Sequence, residues 1–79
     1  MTEKLEAIKQ HPAVTNWSDW ERGNMKRTYL NLSGYQSSFA GCRSTKVYWD
    51  HKAEKIVIER GKGTTPRDFD ASINAIQDA

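Results

Sequence analysis

The sequence has one cysteine and two prolines among its 79 residues, and its charges nearly cancel. Because Cys42 has no second cysteine to pair with, a disulfide framework and a structural zinc site built on cysteine pairs are excluded. No segment approaches the roughly 20 apolar residues that span a bilayer. The charged start, residues 2–6, lacks the apolar stretch of a signal peptide. We therefore expect a cytoplasmic protein with no membrane partner.

The size and composition predict one small domain that covers residues 1–79. Twelve basic and ten acidic residues leave a net charge of +2, which excludes both a basic tail protein and an acidic disordered chain. Apolar residues make up only 37% of the chain, but three Trp, three Tyr and two Phe supply large buried areas. This size is typical of small stand-alone proteins from bacteria, phages and other mobile elements.

The first half of the chain predicts a helix followed by a β-hairpin. We expect residues 2–11 to form a short amphipathic helix, with Thr2 as its cap and Pro12 ending it. Residues 13–33 form a hairpin around the turn dipeptide Gly23-Asn24. We interpret residues 17–22 as its first strand. Because Trp17 and Trp20 are three residues apart, a single helical turn remains the alternative.

The second half predicts a loop, a strand pair and a final helix. Two Gly and four Ser in residues 33–44 favour a loop. Residues 46–50 and 55–60 are rich in β-branched and aromatic side chains, and residues 51–54 connect them. Thr65 is expected to cap a helix that begins at Pro66 and runs to about Gln77, with Asp68 reaching back to the cap.

These elements predict a small α+β fold of order α-β-β-β-β-α. Its antiparallel sheet has three to four strands, and the N- and C-terminal helices pack on one face. The apolar side chains that share the helix stripes and one strand face form the expected core: Leu5, Ile8, Leu30, Leu32, Val47, Trp49, Ile56, Ile58, Phe69, Ile73 and Ile76.

Sequence motifs for catalysis, metals or cofactors are lacking, so we expect a protein that is not an enzyme. His11 and His51 lie forty residues apart, and Cys42 occupies a Gly/Ser-rich segment with no catalytic signature. Residues 61–65 combine glycines with a helix start, which favours anions, but they lack the spacing of a Walker loop. We predict no catalytic residue, no metal site and no cofactor.

The distribution of charge is the strongest functional indication in the sequence. The segment from Arg22 to Arg67 carries a balance of +7, because only Asp50, Glu54 and Glu59 oppose its ten basic residues. The remaining residues balance at −5, because Lys4 and Lys9 meet seven acids. The cations therefore lie mainly on the predicted strands and their connections, whereas the seven acids lie largely on the two helices and the first hairpin arm.

Basic residues alternate with aromatic ones on the predicted strands, which is typical of surfaces that bind single-stranded nucleic acid. We therefore predict a small nucleic-acid-binding protein. The alternative is a protein-binding regulator or inhibitor that uses Trp, Tyr and Arg anchors, including Trp17 and Trp20. An exposed strand edge also makes a homodimer possible. The predicted binding residues are Lys26, Arg27, Tyr29, Tyr35, Arg43, Lys46, Tyr48, Lys55 and Lys62.

Overall fold

The computed structural model describes residues 3–78 and contains one four-stranded antiparallel sheet with strand order β1-β2-β3-β4. A helix precedes the sheet and another follows it, which confirms the predicted α+β fold. The elements are α1 (Glu3–Lys9), β1 (Val14–Arg22), β2 (Met25–Leu32), α2 (Ala40–Ser44), β3 (Lys46–Asp50), β4 (Lys55–Glu59) and α3 (Arg67–Gln77).

The first hairpin arm is a strand, so the helical alternative for residues 17–22 is wrong. Gly23 takes a φ of +58°, which a two-residue hairpin turn requires, and Arg22 pairs with Met25 across it. The strand starts earlier than predicted, at Val14, with a bulge between Val14 and Asn16. Two tryptophans three residues apart therefore lie on opposite faces of the sheet, where a helix would have placed them together.

The hydrophobic core lies between the sheet and helices α1 and α3. Nine of the predicted core residues are at most 5% exposed, and Ile8, Ile73 and Ile76 are completely buried. Cys42 joins this core. Ile56 and Ile58 were predicted to be core residues, but both are only partly buried and pack against the core cluster. They belong to β4, which ends the sheet and has a neighbouring strand on one side only.

The predicted loop 33–44 contains the short helix α2, so the loop interpretation is wrong for residues 40–44. Gly41 and Cys42 are buried there, and the Gly41 backbone approaches Thr64 in the loop before α3. This approach is close enough that a Cβ at Gly41 would collide with the Thr64 carbonyl. Contact with a distant segment therefore stabilises a helical turn that the local Gly/Ser content does not favour.

The predicted cap of the C-terminal helix differs from the structure. Helix α3 begins at Arg67 after the N-cap Pro66, and no side chain caps it. The Thr65 hydroxyl donates instead to the Asp70 carboxylate, which also accepts a hydrogen bond from Arg60. The capping box with Asp68 is therefore not formed. The predicted cap Thr2 lies outside the described residues.

Residues 3–78 include no helix that is both long enough and apolar enough to cross a membrane.

Candidate nucleic-acid interface

The sheet has a face turned away from α1 and α3, which we call the outer face. Because side chains alternate along a strand, residues opposite the core positions share this face. On β2 it carries Arg27 and Tyr29, and on β3 it carries Lys46 and Tyr48. The complete set from the paired positions is Asn16, Ser18, Trp20, Arg22, Met25, Arg27, Tyr29, Asn31, Lys46, Tyr48, Asp50, Lys55, Val57 and Glu59.

An arginine cluster, formed by Trp20, Arg27, Tyr29 and Tyr48, occupies the middle of the outer face. The Arg27 Nη1 atom donates to the Tyr29 hydroxyl at 3.1 Å. Its guanidinium carbon lies 4.4 Å from the Tyr48 ring centre and 5.4 Å from that of Trp20. The two tyrosine rings are 5.3 Å apart. Cation–π contacts on two sides thus hold Arg27 against the sheet.

The chemistry of this cluster keeps Arg27 charged and Tyr48 neutral. The hydrogen bond with Tyr29 raises the pKa of the Arg27 guanidinium. Burial raises the pKa of the Tyr48 phenol, and the Glu59 carboxylate adds to that rise because a second negative charge nearby is unfavourable. Tyr48 is only 5% exposed. Its ring therefore supports Arg27 from below and offers no free face to a ligand.

A cleft opens next to the arginine cluster, where the sheet splits. The pairing of β2 with β3 runs only from Arg27–Asp50 to Tyr29–Tyr48, although β2 continues to Leu32. The cleft has a volume of about 260 Å³. Its lining comes from both strands, from α2 and from α3: Tyr29, Leu30, Asn31, Leu32, Tyr35, Cys42, Arg43, Thr45, Lys46, Val47 and Phe69.

The lining of the cleft mixes polar and apolar side chains, and both of its charged residues are cations. Arg43 and Lys46 are both exposed and are the charged residues of the lining. Tyr35 is 48% exposed, and its ring packs edge-on against Phe69 with 6.0 Å between the ring centres. Cys42 is 1% exposed and belongs to the apolar part. The cleft therefore suits a flat, partly apolar group that carries negative charge.

The structure brings most of the predicted binding residues to the outer face and its cleft. Tyr29, Tyr35, Arg43 and Lys46 line the cleft together. Arg27 and Tyr48 lie beside it in the arginine cluster. Lys55 lies on the same face, opposite Asp50 on β3. These seven residues come from five segments of the chain: β2, the loop that follows it, α2, β3 and β4.

Lys26 and Lys62 are separate from this group. Lys26 pairs with Glu21, and strand alternation places it on the face opposite to that of Arg27. Lys62 lies in the loop before α3, where its carbonyl accepts a hydrogen bond from the Ser44 hydroxyl at 3.2 Å. Arg60, another of the central cations, pairs with Asp70 at 3.0 Å. The ten central cations are thus divided between both faces and the loops.

Trp20 is the member of the arginine cluster that the predicted binding set lacked. Its ring meets Tyr29 edge-on at 6.3 Å between centres. The signal that could have found it is the turn at Gly23, because a two-residue hairpin turn brings position 20 opposite position 27. By contrast, Trp17 lies on the helix side of the sheet, and the Lys9 ammonium covers its ring at 3.9 Å.

The two histidines have partners other than Cys42. The His11 Nδ1 atom accepts a hydrogen bond from the Ala13 N–H, and His51 Nε2 lies 2.8 Å from the Thr28 hydroxyl. Among residues 3–78, no group of three or more His, Cys, Asp and Glu side chains is placed to hold a metal ion. Comparisons of the chain with protein-family models, curated proteins and solved structures found no match.

Proposed function

We propose that this protein is a small cytoplasmic binding protein, not an enzyme, and that it binds single-stranded nucleic acid on the outer face. The observation that carries the proposal is the cleft beside the arginine cluster. Its charged lining residues, Arg43 and Lys46, are both cations, and part of its lining is apolar. A nucleotide combines these two properties, since it has a flat base and an anionic phosphate.

The cations define a path for the phosphate backbone. Arg43 and Lys46 stand at the cleft, and Arg27 lies next to it on β2. Arg27 uses one of its donors for Tyr29 and keeps others for a phosphate. Asp50 and Glu59 are also on this face, opposite Lys55 and Lys46 respectively, and each acid offsets part of the positive charge that its lysine offers to a phosphate.

The exposed ring of Tyr35 supplies the stacking surface for a base. Phe69 supports this ring from the side, which limits its freedom before a ligand binds. A cleft of about 260 Å³ accommodates one unstacked group. In a duplex the bases are stacked and paired, and in a single strand they are free to enter such a cleft. The site therefore favours a single strand.

The direct test is a titration with labelled single-stranded DNA, single-stranded RNA and duplex DNA at several salt concentrations. We expect the single strands to bind more tightly than the duplex. In the variant Arg43→Gln/Lys46→Gln, the slope of log K against log salt should become shallower by about 0.7 for each phosphate that the protein no longer neutralises. The matched control is Lys4→Gln/Arg67→Gln, which removes the same charge from exposed positions on α1 and α3.

The stacking part of the proposal has its own test. Tyr35→Ala should weaken binding by about 1–3 kcal/mol, the usual contribution of one base–aromatic stack. Tyr35→Phe keeps the ring and should bind like the unchanged protein. If no nucleic acid binds even at low salt, or if the control variant loses as much affinity as Arg43→Gln/Lys46→Gln, the proposal is refuted.

A protein partner is the second candidate, in which case the molecule is a regulator or inhibitor. The observation that favours it is the pair of exposed aromatics Tyr35 and Phe39, which are 48% and 41% exposed and precede Arg43. Aromatic and Arg side chains are the usual anchors of protein interfaces. Under this hypothesis Phe39→Ser and Arg43→Gln each abolish recovery of one defined host protein, and Lys46→Gln leaves that recovery largely intact.

A further inference from the structure

Strand β4 ends the sheet and has an unpaired edge within the described chain. The His51 N–H donates to the Lys26 carbonyl, so the odd-numbered residues of β3 direct their backbone groups toward β2. The even-numbered residues therefore bond to β4, where they meet Lys55, Val57 and Glu59. It follows that Ile56 and Ile58 direct their N–H and C=O groups away from the sheet.

We propose that this edge pairs with β4 of a second copy of the chain, so that two sheets form one continuous eight-stranded sheet. The strands run antiparallel, and the two-fold axis passes Val57, which faces the partner's Val57. Ile56 then lies opposite the partner's Ile58, and their outward backbone groups form the hydrogen bonds of the new ladder. An interface related by a two-fold axis must be complementary to itself.

The charges of β4 meet this requirement. The strand reads Lys55-Ile56-Val57-Ile58-Glu59, with opposite charges at its two ends. Antiparallel pairing about Val57 brings Lys55 opposite the partner's Glu59, and the same contact recurs on the other side of the axis. Within one chain Lys55 already faces Asp50, and Glu59 faces Lys46. The charges on the outer face therefore alternate in sign across the junction, which stabilises a cross-strand row.

The apolar residues of β4 are also complementary. Ile56 and Ile58 are only partly buried, although they pack against the core cluster. In the dimer each lies beside an isoleucine of the partner and loses its exposed edge. On the outer face, Tyr48 pairs with Val57 within each chain, so the junction continues an apolar row from one sheet to the other. Burial of this apolar area drives the association.

The other free edge, β1, lacks this complementarity. On the face of β1 turned toward the helices, the charged residues are Asp19 and Glu21, which are both acidic. Two copies of β1 therefore cannot form an opposite-charge pair on that face in any antiparallel register. The outward N–H of Trp17 is already bonded to the Asn16 side chain at 2.8 Å. The bulge between Val14 and Asn16 disrupts the strand further. Such features protect edges against pairing, so the proposal is specific to β4.

Reversing the charge of Lys55 or of Glu59 tests whether two copies pair along β4. The mass in solution is measured by light scattering and sedimentation up to about 1 mM protein, because interfaces this small belong to the weak class. We expect a concentration-dependent rise from 9.0 kDa toward twice that mass. Lys55→Glu and Glu59→Lys each place like charges across the axis and should weaken self-association by about tenfold or more.

The decisive measurement is a mixture of these two variants, which forms opposite-charge pairs on both sides of the axis. We expect the mixture to dimerise where neither variant does alone, after circular dichroism has established that both are folded. Glu21→Lys on β1 is the matched control and should leave self-association unchanged. A chain that stays monomeric throughout the concentration range, or a mixture that stays monomeric, would overturn the proposal.

A second test uses a crosslink at the axis. Facing residues at a non-hydrogen-bonded antiparallel position have Cα atoms about 4.5 Å apart, within the range of a disulfide. Val57→Cys should therefore form a covalent dimer under mild oxidation. Ser18→Cys on β1 is the control and should not crosslink. Equal crosslinking of the two variants contradicts pairing at β4. The dimer proposal does not rest on the proposed nucleic-acid site, and its tests contain no nucleic acid.

Discussion

The substitution Gly41→Ala tests how closely α2 approaches the loop before α3. Alanine favours a helix over glycine by about 1 kcal/mol, so the exchange would stabilise a helix in open surroundings. Here the new Cβ would lie 2.2 Å from the Thr64 carbonyl oxygen and 2.7 Å from its carbon. Ordinary contacts begin at 3.4 Å, so α2 and the loop must separate by more than 1 Å.

Overpacking of this kind costs about 1–3 kcal/mol, and a clash with backbone belongs at the upper end. After the helix propensity is subtracted, we expect a net loss of about 2 kcal/mol in the free energy of unfolding. Urea denaturation followed by tryptophan fluorescence measures it. Separation of the two segments should also expose the neighbouring Cys42 thiol, which is 1% exposed, to a thiol reagent.

The control is Ala40→Gly, which changes helix propensity in the same helix at an exposed position. It should cost about 1 kcal/mol and leave Cys42 unreactive. The sign of the Gly41 effect is the critical result. If Gly41→Ala stabilises the protein, then α2 and Thr64 are not in close contact, and the explanation given for this helix is refuted.

Three further predictions concern the core and the polar contacts. Ile73 is fully buried, so Ile73→Ala should cost about 2–5 kcal/mol in urea denaturation. Thr28→Val removes the buried hydroxyl that bonds Asp19 and contacts His51, and should cost about 1–3 kcal/mol in the same assay, whereas Thr28→Ser should retain these contacts. Hydrogen bonds from Thr65 and Arg60 lower the pKa of Asp70 below 3.8. The ionised Asp70 therefore stabilises the folded protein above pH 3.8, and this stabilisation is lost as the pH falls through the lower pKa of the folded state. In a series of melting temperatures measured at different pH values, Asp70→Asn should show a smaller loss of stability on the acid side.

Much of the fold was predictable because it depends on local patterns. Alternation along β2 and β3 separates Thr28 and Trp49 from Arg27 and Tyr48, and a period of 2 requires no knowledge of distant contacts. The turn at Gly23 follows from the positive φ that glycine accepts. By contrast, α2 depends on the contact of Gly41 with Thr64, which are distant in sequence, so local composition predicted a loop.

The candidate site was predictable as a set of residue types but not as a place. Basic and aromatic residues on strands indicated a binding face, and alternation assigned Arg27 and Tyr29 to it. The sequence did not reveal that Tyr48 is covered or that the sheet splits beside it. Both facts depend on how far β2 and β3 remain paired. Residues of α2 and Phe69 of α3 line the cleft where this pairing ends.

Sequence patterns alone were enough to predict the order of the strands and terminal helices, most residues of the core and the basic character of the middle of the chain. These properties follow from side-chain periodicity and composition, which act over a few residues. Which cations share a face, where the cleft opens and which strand edges are free became clear only from the folded chain. Such properties arise from contacts between segments far apart in the chain, and the net charge of +2 contains no information about them.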